Sequence, residues 1–415
     1  MDALTLKFGL ASVILLSVPA LAERSPESRP EATAINKVST SLITAREHFD
    51  DPAINSVSYR AANKWFPTEE VASGTPSLMS RRIANINPDV TLSGKAMEFD
   101  DALAANFTNA FLVMKNGVII DERYLNGGTP EDRYLSWSMA KSITSILIGI
   151  AFDKGLIHDL NGSIEQYVPE MRGTAFQGVT IEQLLTMRDG TSYTEQMQNG
   201  ISTLSVIRKR STYDNRHRFT DLTGLDLTRL REPGGVFNYS TLASTILGRA
   251  VEGASGMSLA KFTERYLWLP AGMESPAYWL LDGEPPEGRA VSGGGFSATL
   301  RDYGRIGQMM LDGGRANGKQ IVSKSWVEKS TRDWSMQPVI PGAPRGYGYQ
   351  WWTLKPVPGR FEAIGIHGQF MSIDSATGTV IVKLSYWPES GGRQYNMDTF
   401  AILDAARANS FVPAN

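Results

Sequence analysis

The sequence predicts a mixed α/β fold: one antiparallel sheet drawn from both ends of the chain, flanked by helices, with a helical subdomain between the sheet segments. Three observations predict it. Strand patterns stand near the front, where Phe111-Leu-Val-Met and Val118-Ile-Ile flank Lys115-Asn116-Gly117, and return near the back at 347–352, 361–366, 370–374 and 379–387. A long apolar helix at 138–156 lies between them, and residues 165–300 read mainly as helices with long connections. Half-apolar strands need partners, so the two ends must pair into one sheet and bury a face against the helices.

The elements follow in chain order. Lys7, the apolar run 8–19 and Ala20-Leu21-Ala22 form the n-region, h-region and small-x-small site of a secretory signal, 1–22, with Glu23 as the first mature residue. The run is shorter than the 18 to 20 or so residues of a membrane span, so no anchor is expected after cleavage and the location is periplasmic or secreted. Residues 23–95 read as an N-terminal lead-in, polar and loose to about residue 60, with the main domain at 96–415. Asn116-Gly117 between two apolar runs predicts a type I′ hairpin. In 138–156 the Ile, Leu and Ala residues fall on nearly all faces and Gly155 closes the helix, which predicts a central, buried element. The subdomain occupies about 160–300. Within it, 190–233 has few apolar repeats and many basic residues, among them Arg208, Lys209 and Arg210, the pattern of a lid or substrate-contacting loop. The turn at 375–378 makes the last two strands a hairpin, and 397–408 is a closing helix.

Composition excludes several classes. The chain has 415 residues, 42% of them apolar, and a net charge of -2 from 41 basic and 43 acidic side chains. No single-sign field is available for a phosphate backbone, so nucleic acid is not an expected partner. Cys is absent, which removes disulfides, thiolate metal sites and a cysteine nucleophile. The four histidines, His48, His158, His217 and His367, are far apart, so no metal site is expected. No G-x-S-x-G elbow occurs.

What remains is an S-x-x-K motif, Ser138-Met-Ala-Lys141. At i and i+3 on a helix the two side chains share a face, and a lysine of depressed pKa can take the serine proton. A second copy, Ser258-Leu-Ala-Lys261, follows Gly253-Ala-Ser-Gly256 and reads as a surface helix cap. Ser138 itself could be a simple N-cap. Downstream, Pro233-Gly-Gly-Val-Phe-Asn-Tyr239-Ser240-Thr241 could present the Tyr239 phenol as a general acid or base, or bury it as core. A third element, Gly365-Ile-His367-Gly368-Gln369-Phe370, lies on a strand whose amides could meet an oxyanion. His367 reads as a surface residue or a satisfied strand histidine rather than a catalytic base, since no motif places a carboxylate partner for it.

These elements, in this order, resemble the serine β-lactamase-like superfamily, which includes D,D-peptidases and family VIII esterases, and within it the 6-aminohexanoate-dimer hydrolase branch. The resemblance runs from about Phe111 to Trp387 and also rests on LLTMRDG (184–190), YWLLDGE (278–284), SGGGFSATLRDYGRIG (292–307) and GYGYQWW (346–352). It implies a β-lactamase/transpeptidase-like fold and a small-molecule amide or ester substrate, with no cofactor. It makes Ser138 the acylated nucleophile, Lys141 its base and Tyr239 the relay to the leaving group. It places the oxyanion hole at the amides of Ser138 and Phe370, and substrate contacts at Tyr193, His367, Gly368 and Gln369. Two positions depart from the superfamily pattern: Y-x-N is Tyr239-Ser240-Thr241, and K-T-G is His367-Gly368-Gln369. Both speak against antibiotic hydrolysis. The resemblance therefore implies an amide or ester hydrolase. A family VIII carboxylesterase, a β-lactamase or D,D-peptidase and a catalytically silent binding protein are the alternatives.

Overall fold

Asn116 and Gly117 both adopt positive φ, 48° and 78°, and this I′ geometry turns one strand straight into the next. The computed structural model describes residues 38–84, 86–334, 345–354 and 357–411. The signal expected at 1–22, and the lead-in up to residue 37, lie outside the described residues. Among the described residues no helix is long and apolar enough to cross a membrane.

The main sheet has eight strands: β1 (Ser80–Arg81), β2 (Thr108–Lys115), β3 (Val118–Tyr124), β4 (Arg345–Tyr347), β5 (Trp352–Leu354), β6 (Arg360–Gly365), β7 (Gln369–Asp374) and β8 (Thr379–Ser385). Their order is β4-β5-β6-β7-β8-β2-β3-β1. The join between chain ends is the β8–β2 ladder, running from Thr379 opposite Lys115 to Lys383 opposite Phe111. All neighbours are antiparallel except the short edge β1, which runs parallel to β3. The segment 347–352, read as one strand, is instead a turn between β4 and β5, which pair with each other.

Four helices fix the layers: α1 (Met139–Asp153), α2 (Thr241–Ser255), α3 (Leu300–Leu311) and α4 (Arg393–Ala408). The closing helix begins a turn earlier than its apolar pattern, at Arg393. Leu112, Met114 and Val380 belong to the core that also holds the side chains of α1, α2 and α3. Phe111, Val113 and Ile381, pointing the other way, share a second core with α4. Alternation along β2 thus builds both layers. Every residue of α1 from Met139 to Ala151 is buried, as its all-round apolar character predicts. Each fully buried Ile or Leu contributes about 1.5–3 kcal/mol, so α1 is a rigid platform for whatever its first turn carries.

A four-stranded sheet without a counterpart in the sequence pattern joins Thr68–Val71, Ala277–Leu280, Phe296–Ala298 and Tyr134–Leu135. Its strands are two to four residues long, too short for a period to show. The lead-in, expected to be loose, is also structured from Val38 onward. Ser39 caps a helix at Thr40–Glu47. Phe49, Tyr59 and Phe66 then pack with Leu135, Tyr278 and Leu280 as a third apolar cluster. The polar composition of this segment hid three aromatic anchors.

Candidate active site

Ser138 stands at the N-cap of α1 but does no capping. Its backbone is helical (φ -65°, ψ -8°) and its hydroxyl makes no bond to the helix amides. The second S-x-x-K behaves in the opposite way: Ser258 has extended dihedrals and accepts from the Lys261 amide. There the Lys261 side chain turns aside to Glu264 at 2.9 Å. Geometry therefore separates two motifs of identical pattern. Trp137, just before Ser138, holds φ at 47°, a costly conformation for a bulky residue and one found where a chain is forced to aim its neighbour.

Lys141 is buried, and its Nζ lies 2.8 Å from Ser138 Oγ, 2.9 Å from Thr241 Oγ1 and 2.7 Å from the Gly293 carbonyl. No carboxylate pairs with it among the described residues. Burial pulls its pKa from 10.5 down to about 8, opposed by the charge of Glu195. A neutral amine has two donors and one lone pair. Gly293 can only accept, Thr241 can accept as well, and the lone pair is then left for the serine proton.

Tyr239 precedes α2 beside Ser138 and has its ring 4.8 Å from Lys141 Nζ. Burial, and next the negative charge of Glu195, raise its pKa well above the ordinary phenol value, outweighing the opposing effect of Ser138. It is a phenol at neutral pH, a donor rather than a base. It stacks on Trp352 at 5.7 Å, which holds the ring's tilt.

Thr241 occupies the third position of Y-x-N. Its hydroxyl meets Lys141 directly, and its amide donates to Glu195 at 2.6 Å. Glu195 lies outside the motifs, and Gly293 lies within the 292–307 motif but had no role assigned to it. The Gly293 carbonyl comes from SGGGF, which could have been read as a close backbone approach.

The strand segment is placed differently from expectation. His367 is buried, bonds the Trp387 carbonyl through Nδ1 at 2.9 Å and packs on Trp137 and Tyr59. Burial lowers its pKa, against the Trp387 bond, so it is a neutral packing residue. Gly368 (φ 86°) has Trp387 where a side chain would be. Gln369 is buried and spends its amide on the backbone of His367 and Ser385. Phe370 pairs with Ile364 on one side and Lys383 on the other. Its amide therefore faces a neighbouring strand, not the serine. The backbone that does approach Ser138 is Gly365–Ile366. A side chain on Gly365 would collide with the Ser136 carbonyl and come within 3.1 Å of the Ser138 amide. Tyr193 is also buried, and it donates to Glu195 at 3.1 Å instead of facing a substrate.

Ser138 opens into a cleft of about 370 Å³. Its walls are mostly apolar, with Phe49, Phe66, Trp137, Leu204, Phe219 and Ile366 among them, and among the described residues Glu195 and Arg208 are its charged groups. The region 190–233, expected to cover the site, supplies Leu204, Arg208 and Phe219. Hollows of about 650 and 570 Å³ lie elsewhere and contain none of these catalytic candidates.

The beta-lactamase family profile matches residues 101–406. The 6-aminohexanoate-dimer hydrolase of Paenarthrobacter ureafaciens is 30% identical over 376 residues, covering 86% of this chain and 94% of that one. A solved Bacillus anthracis structure, provisionally assigned as a 6-aminohexanoate-dimer hydrolase, superposes with a TM-score of 0.75 at 26% identity over 87% of this chain and 96% of that one. A family VIII carboxylesterase superposes at 0.54 with 18% identity over 74% and 96%, a likeness of fold alone.

Proposed function

The chain belongs to the beta-lactamase family and is a serine hydrolase, and we propose that it cleaves amide or ester bonds of small linear substrates through an acyl-enzyme on Ser138. The observation that carries this reading is Lys141 Nζ, buried without a carboxylate partner and 2.8 Å from Ser138 Oγ. A lysine so placed is neutral often enough to act as a base.

In acylation, Lys141 takes the Ser138 proton as Oγ attacks the carbonyl carbon. The oxyanion is held by the Ser138 amide at the head of α1 and by a second amide where β6 ends, that of Ile366. Tyr239 gives its proton to the leaving group as the C–N or C–O bond breaks, and Lys141 returns the proton to Tyr239. Water then attacks the ester on Ser138 along the same route in reverse. Thr241 and Gly293 hold the amine with its lone pair toward Ser138. The apolar cleft suits an extended acyl chain. The linear amide named for a relative, 6-aminohexanoate dimer, whose acyl half ends in an ammonium, is one amide to test. For location we propose export, supported by the 1–22 signal pattern.

The test is turnover of p-nitrophenyl esters and 6-aminohexanoate oligomers by wild type and Ser138→Ala. Loss of all turnover in a folded variant supports the reading. Undiminished turnover removes Ser138 from it.

A further inference from the structure

The cleft contains a cation that the reaction does not use. Arg208 ends the short helix Thr203–Arg208 and lines the same cleft as Ser138. Its guanidinium lies over the ring of Trp137, the residue next to the nucleophile, at 5.3 Å, and over Tyr213 at 5.2 Å. Aromatic faces on a planar cation fix its orientation without using its hydrogen-bond donors. Its bonds to Asp50 (3.1 Å) and to the Tyr213 hydroxyl both leave from Nη2. Among the described residues no bond leaves from Nε or Nη1, and both remain for another acceptor. An Arg fork held rigid in a mostly apolar cleft, with Asp50 on Nη2 alone, suits a second carboxylate.

The side of the scissile bond follows from Tyr239. The leaving group departs with the Tyr239 proton and so lies on that residue's side. Tyr239 and its stacking neighbour Trp352 do not line the cleft, whereas Ser138, Trp137 and Arg208 do. The cleft is therefore the acyl side. We infer that Arg208 binds a carboxylate at the far end of the acyl chain, which makes hemiesters and hemiamides of linear dicarboxylic acids the preferred substrates. This rests on Ser138 being the acylated residue. In the step itself the Ser138–acyl ester forms as the leaving alcohol or amine departs protonated, and water releases the free dicarboxylic acid. Glu195, the other charged group of the cleft, bonds the Thr241 amide and the Tyr193 hydroxyl at the lysine end.

The experiment compares mono-p-nitrophenyl adipate with p-nitrophenyl hexanoate, two esters with the same leaving group and chain length, in wild type, Arg208→Gln and Ser138→Ala. Wild type should favour the adipate in kcat/KM. Arg208→Gln should lower the adipate-to-hexanoate ratio about tenfold or more, the scale of one lost charge-assisted hydrogen bond. The ratio is internal to each variant, so a folding defect cannot imitate the result. An unchanged ratio in Arg208→Gln, or a wild-type preference for hexanoate or for p-nitrophenyl 6-aminohexanoate, overturns the inference. Turnover surviving in Ser138→Ala overturns the catalytic reading beneath it, whatever Arg208 does.

Discussion

Burial should make Lys141 set the acid limb of the pH–rate profile, and Glu195→Gln should move that limb. The drop from 10.5 to about 8 disfavours the ammonium by about 3 kcal/mol. At pH 7 about one lysine in ten is then neutral, against about one in three thousand at the ordinary value, a gain of several hundredfold in competent enzyme. With an ester whose chemistry limits the rate, kcat/KM should rise about tenfold per pH unit below 8 and level off above it. Glu195 opposes the burial effect, because its charge favours the ammonium. Removing that charge lowers the pKa further. Glu195→Gln keeps an oxygen for the Thr241 amide, and its acid limb should shift to lower pH with more activity at pH 6. A profile flat from pH 6 to 9, or a limb that moves up in Glu195→Gln, would refute this account of the lysine. Stability provides a second check. The unfolded lysine binds a proton that the native one lacks between about pH 8 and 10.5, so this group makes the protein more stable as pH rises through that window. Lys141→Met should be inactive, more stable than wild type at pH 7, and should lose that part of the rise. The other buried lysine, Lys383, is common to both proteins and drops out of the difference.

Tyr239→Phe should cut kcat by about 10² or more, since the ring still fits beside Trp352 but has no proton to give, and the loss should be smallest for the p-nitrophenolate leaving group. Ser258→Ala should cost about 0.5–2 kcal/mol by chemical denaturation, the value of a helix cap, and leave kcat/KM unchanged. A loss of activity there would mean the second S-x-x-K is not a cap alone. Gly365→Ala drives a methyl group into the Ser136 carbonyl beside the Ser138 amide, so kcat should fall at least about tenfold with KM little changed. An Ala variant with full activity would place the oxyanion hole elsewhere.

Much of this was legible before any coordinates, and what was not has identifiable causes. The hairpin at Asn116-Gly117, α1 and the C-terminal strands announce themselves through local period and turn chemistry. Ser138 and Lys141 are one helical turn apart, so their meeting needs only a helix. The other two ligands of Lys141 are 100 and 152 residues away, and no local pattern encodes such a meeting. Tyr193 and Glu195 are neighbours in one loop, and only the fold decides that the tyrosine turns inward and the carboxylate outward. Phe370 fails as an oxyanion donor because β7 is an inner strand, a fact about sheet order. The aromatics of residues 49–66 were masked by polar neighbours, although Phe49 and Phe66 line the cleft.

The central claim is a covalent acyl-enzyme on Ser138, and intact-mass analysis within milliseconds of mixing with a p-nitrophenyl ester tests it most directly. The account predicts a transient increase equal to the acyl group, mapped to the peptide holding Ser138 and absent from Ser138→Ala. Steady turnover with no adduct, or an adduct on another residue that survives Ser138→Ala, would contradict it.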